Sequence, residues 1–83
     1  RGRRRRMTTA AIASLENQSV SYAGTTYDIR PLAPDTFTVL VEGVPVGRIV
    51  YTFGAANGVP EGDAISEDAL TTIAEAWFAV AEG

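Results

Sequence analysis

The 83-residue chain contains no cysteine, no histidine and no lysine. Without cysteine there is no disulfide, no thiolate metal site and no thiol nucleophile. That absence also fits the cytoplasm, where disulfides are rare. Without histidine the commonest zinc ligand and the usual proton shuttle near neutrality are missing. Without lysine there is no Schiff-base chemistry and no phosphate-loop lysine. Most of the alphabet of active sites is therefore depleted. We expect no enzyme, no cofactor and no metal. All seven basic residues are arginine, a coding bias that suggests a GC-rich bacterial or phage genome.

Long apolar runs are also lacking. The longest tract, residues 73–81, is interrupted by Glu75. It falls well short of the ~20 residues that a membrane-spanning helix needs, so no span is expected. Arg3, Arg4, Arg5 and Arg6 resemble the basic start of a signal peptide, and Ala11-Ile12-Ala13 has a small-x-small pattern. Residues 7–12 are too short and too rich in threonine for the apolar region between them. A cytoplasmic protein is the expectation.

Charge is split along the chain. Arg1, Arg3, Arg4, Arg5 and Arg6 make a basic arm, and from Met7 onward Arg30 and Arg48 stand against ten acids, leaving −8. Such asymmetry suggests an electrostatic partner for one end or the other. Residues 1–6 have no apolar content and cannot join a core, so a disordered arm is expected. Because Met7-Thr8-Thr9 reads like a translation start, the arm is either an upstream extension, a precursor piece or a cloning remnant. A basic processing site is a further reading of the same run.

Residues 7–83 read as one small α+β domain. Ala11, Ile12 and Leu15 fall at helical spacing, with Thr8 or Thr9 as cap, which predicts a short helix over 8–16. Alternation then predicts four strands, over 19–23, 26–32, 36–42 and 46–53. Pro31 and Pro34, with Asp35, are expected to end the second strand. A three-residue loop at 42–44 would pair Phe37 with Ile49 and Val41 with Pro45. That register gathers Phe37, Val39, Val41, Ile49, Tyr51 and Phe53 on one face. Residues 54–63, with two glycines and a proline, read as loop. Ser66 should cap a helix running to about residue 82, with Glu67 and Asp68 in its first turn. Leu70, Ile73, Trp77 and Val80 form its apolar stripe, opposite Asp68, Thr71, Thr72 and Glu75. The expected fold is a four-stranded antiparallel meander packed by this C-terminal helix.

Leu40, Val46 and Val50 should then point to the sheet's other face, beside Arg48. The cover is the N-terminal helix, a second copy or another protein. The strand 46–53 would form a sheet edge open to strand addition. Glu61, Asp63, Glu67 and Asp68 cluster at the loop–helix junction. Their spacing matches no calcium loop, and they read as a solvated helix start stabilised by its dipole. Tyr51 and Phe53 after Arg48 invite comparison with RNA-stacking strands, but the glycine that separates basic from aromatic positions there is absent. The Arg arm could bind nucleic acid through phosphates alone, having no aromatic to stack on bases. The functional expectation is a small acidic, non-enzymatic protein–protein interaction module: an adaptor, an inhibitor, an antitoxin-like or a phage-type accessory protein. Its partner is an unidentified protein or a second copy. The alternative is nucleic-acid binding through the arm.

Overall fold

The computed structural model describes residues 11–81. It is α+β, as expected, with six strands rather than four. These are β1 (Ile12–Ser14), β2 (Ser19–Tyr22), β3 (Thr25–Ala33), β4 (Thr36–Val41), β5 (Val44–Thr52) and β6 (Ala55–Pro60), followed by α1 (Glu67–Ala81). Each strand pairs antiparallel with the next, in the order β1 to β6. A flat sheet of six strands would be about 24 Å wide, and a helix is only about 10–12 Å thick. Yet α1 packs against β6 and β5 on one side and against β1 and β2 on the other. The sheet therefore curls, and the helix bridges its two edges.

Three tight turns set the meander. Ala23-Gly24, Glu42-Gly43 and Phe53-Gly54 each join paired strands through two residues. In each pair φ is positive at both positions, 52° and 81°, 52° and 82°, 53° and 78°. This is the type I′ geometry, whose twist matches that of the flanking strands. The loop expected at 42–44 is thus one residue shorter, and Val41 pairs with Val44. The expected pairing of Phe37 with Ile49 nevertheless holds, because a bulge at Val46 absorbs the extra residue. The bulge also turns Val46 inward, to 6% exposure in the core. The expectation that Val46 faces outward is corrected by that irregularity.

Pro31 does not end β3. It pairs with Phe37, and the register shifts just after it. The Ile29 amide donates to Gln18 O, so Pro31 turns its nitrogen to the same side, beyond the start of β2. A missing N–H there interrupts no ladder.

The predicted N-terminal helix is absent among the described residues. Ile12–Ser14 instead pairs with β2, and residues 8–10 lie outside the described chain, as do Arg1 and the rest of the arm. Ala11 and Ala13 join the core side while Ile12 is exposed, so the period is two, not 3.6. Ser14 Oγ accepts from the Asn17 amide, and Gln18 takes φ 52°, which closes the link to β2. Such a local side-chain bond competes with helix.

The expected loop over 54–63 contains β6. Its composition is poor for a strand, but its glycine is a packing requirement. A Cβ on Gly58 would sit 2.7 Å from both the carbonyl carbon of Leu70 and the amide nitrogen of Thr71. Helix and strand backbones meet here, and the Gly58 amide donates to Thr71 Oγ1 at 3.3 Å. The strand 46–53 is therefore interior, and the edge strand β6 lies under the helix.

Ser66 caps α1 as expected: its Oγ accepts from the Ala69 amide at 3.1 Å. Leu70, Ile73, Ala74, Trp77 and Phe78 are buried. Val80, expected in this stripe, is 40% exposed. Thr71, expected on the solvent face, turns to β6. Across from the helix the core is completed by Val20, Ile29, Val39, Val46, Ile49 and Ile65.

Candidate functional site

A meander alternates its turns between two ends. The links β1–β2, β3–β4 and β5–β6 fall at one end, and β2–β3, β4–β5 and β6–α1 at the other. The first end exposes Leu15 (51%), Leu32 (58%) and all of Phe53. Phe53 was expected on the buried face. It stands instead in the turn, one residue past the end of β5. Because α1 runs antiparallel to β6, its last turn brings Val80 to the same end. The opposite end carries Glu42, Glu61, Asp63, Glu67 and Asp68, all exposed.

Beside the Phe53-Gly54 turn lies a groove of about 360 Å³. Tyr51, Gly54, Ala55 and Ala56 form one wall, and Glu75, Phe78 and Ala79 the other. Tyr51 and Phe78 lie 5.2 Å apart and tilted by 33°. Behind them Phe37 meets Phe78 and Trp77 edge-on, each at 5.6 Å. The rings thus support one another in the offset and edge-on geometries that aromatic quadrupoles favour. The small walls leave room, and Glu75 is the one carboxylate on the lining among the described residues. Among the described residues Glu75 has no ion-pair partner.

The structure brings together few of the residues expected to act jointly. Leu40, Arg48 and Val50 do face away from the helix. The cross-strand row of Arg30, Thr38, Arg48 and Val59 separates Leu40 from Val50. With Val46 turned inward, the expected outer patch is broken. Nor does this face offer an aromatic platform: Tyr22, Tyr27, Tyr51 and Phe37 all pack on the helix side. Glu61 leaves the acidic group to approach Arg48, Nε to Oε2 at 3.9 Å, with both side chains close to half exposed. Such a pair contributes at most about 1 kcal/mol. Asp63, Glu67 and Asp68 are spread over the loop and the first helical turn. No group of acids among the described residues could hold a metal ion. The five arginines of the arm lie outside those residues.

The groove was not legible in the sequence, because three of its seven lining residues, Gly54, Ala55 and Ala56, sit in the segment expected to be loop. The available signal was the repeated pattern of a side chain before glycine, at Ala23-Gly24, Glu42-Gly43 and Phe53-Gly54, each between alternating residues. No protein family, curated protein or solved structure matches the chain.

Proposed function

We propose that the protein is a small acidic interaction module that binds another protein without catalysing a reaction. The observation that carries this reading is Phe53. A bulky side chain in a left-handed turn is uncommon and strained, and this one is also fully exposed. Leu15, Leu32 and Val80 lie toward the same end of the molecule, whereas the exposed Ile12, Val44 and Val59 are scattered elsewhere. Exposed apolar side chains concentrated toward one end fit a protein contact. Aromatic residues are the usual anchors of such contacts. Glu16 and Asp35, in the β1–β2 and β3–β4 links, and Glu75 put negative charge toward the same end and would steer a basic partner to it.

The test is partner capture by the full chain, followed by titration of the purified partner. A chain carrying both Leu32→Ser and Phe53→Ser should bind it at least about tenfold more weakly, the scale of one lost anchor. Its circular dichroism and melting should stay native-like. Equal affinity for both chains would overturn the reading. So would retention of RNA alone, steeply salt-dependent and lost when Arg1, Arg3, Arg4, Arg5 and Arg6 become serine. That outcome would establish the nucleic-acid arm instead.

A further inference from the structure

We infer that the groove between the β5–β6 hairpin and α1 receives an arginine side chain from a basic segment of the partner. This rests on the interaction-module reading and names the chemistry of its recognition. The groove's volume, about 360 Å³, falls within the range of ligand pockets. Tyr51, partly exposed and backed by the buried Phe78, supplies the ring surface on which a planar guanidinium stacks. Glu75 supplies a carboxylate with no partner of its own among the described residues, suited to a forked guanidinium contact. Gly54, Ala55, Ala56 and Ala79 leave a channel for the aliphatic stem, which packs well on apolar walls.

The charge arrangement selects against other occupants. No cation among the described residues lines the groove. Arg30 and Arg48, the two described arginines, lie on the opposite face of the sheet and cannot reach it. A phenyl or leucine side chain would cover Glu75 without pairing it, which is unfavourable for a carboxylate. An acidic or phosphorylated segment would be repelled. An ammonium is a compact, strongly hydrated charge, and stacks less well than a guanidinium. Apolar residues flanking the arginine would rest on Phe53 and Val80.

The probe is a short peptide with one arginine between leucines, titrated into the ¹⁵N-labelled full chain. A second peptide replaces arginine by citrulline, which keeps the shape and removes the charge. Chemical-shift changes are expected at residues 54–56 and 75–79, and binding should weaken at least fivefold with citrulline. Glu75→Gln should lose the same discrimination. Ala79→Leu, at an exposed helical position, should fill the groove and abolish binding while leaving the far-ultraviolet spectrum native. Equal affinity for the two peptides would overturn the inference. So would shifts centred on residues 61–68, or native affinity in both variants. Peptide-independent broadening that grows with protein concentration would identify a second copy as the occupant, and would overturn it too. None of these outcomes touches the Leu32 and Phe53 test, which decides the module reading separately.

Discussion

Along α1 the molecule changes character. Around Leu70 the helix lies so close to β5 and β6 that only glycine fits at positions 47 and 58. Around Phe78 it stands off from the same hairpin and leaves a groove. The first half of the core is aliphatic, built from Val46, Ile65, Leu70 and Ile73. The second is aromatic, built from Phe37, Tyr51, Trp77 and Phe78. Even inside that second half the fit is incomplete, since the buried Trp77 indole N–H meets no acceptor among the described residues. A buried donor left unpaired costs about 1–3 kcal/mol. The contrast separates two tasks. The closed half fixes the hairpin to the helix, and the open half leaves the partly exposed Tyr51 available to another molecule.

The largest expected effect breaks the closed half. In Gly58→Ala the new methyl would meet helix backbone, which cannot swing aside as a side chain can. Overpacking of this kind costs about 3 kcal/mol or more. For a domain of this size that lowers the melting temperature by more than about 12 °C. Gly47→Ala should cost less. Its Cβ would meet the flexible end of Leu70, although Val59 O at 2.8 Å still resists it. Thermal melts followed by circular dichroism measure both. A melt unchanged in Gly58→Ala would mean that helix and strand are not closely seated.

A middle effect comes from the helix start. Ser66→Ala removes the acceptor of the Ala69 amide and should cost about 1 kcal/mol in a urea titration. It should leave the groove's peptide affinity unchanged, because the cap belongs to the closed half. A parallel loss of affinity would show that the two halves move together.

These glycines and caps also show how far the sequence could be read. Ser66 with Glu67 and Asp68 announced α1, since capping chemistry is local. The alternation of Phe37, Val39 and Ile49, Tyr51 gave the central ladder, since burial on one face penalises a one-residue slip. The bulge at Val46 was hidden, because a two-residue loop without it would align Phe37 with Arg48, and only the bulge restores the pairing of Phe37 with Ile49. β6 was hidden because its signature is an absence: Gly58 and the alanines around it are there to admit the helix. A tertiary contact, not a strand propensity, determines that segment. β1 was misread for a similar reason. Three residues carry too little periodicity to separate a helix from an edge strand, and pairing with β2 decides it. The groove needs both β6 and the helix, so neither stretch alone could reveal it.

The smallest expected effect is the sharpest for the open half, because its sign is informative. Phe53 occupies the first central position of a type I′ turn, at φ 53°, where asparagine is strongly preferred. It is fully exposed, so its ring contributes no burial to the fold. Phe53→Asn should therefore stabilise the chain, by about 0.5 kcal/mol from relief of the left-handed strain. The same change should weaken partner binding. Urea titration and partner titration on one variant test both signs. A gain in stability with a loss of binding is the pattern of a residue kept for its contact rather than for its fold. A loss of stability of about 1 kcal/mol would place Phe53 inside the aromatic half after all. The open end would then be an extension of the core, and the distinction between the two halves would fail where it matters most.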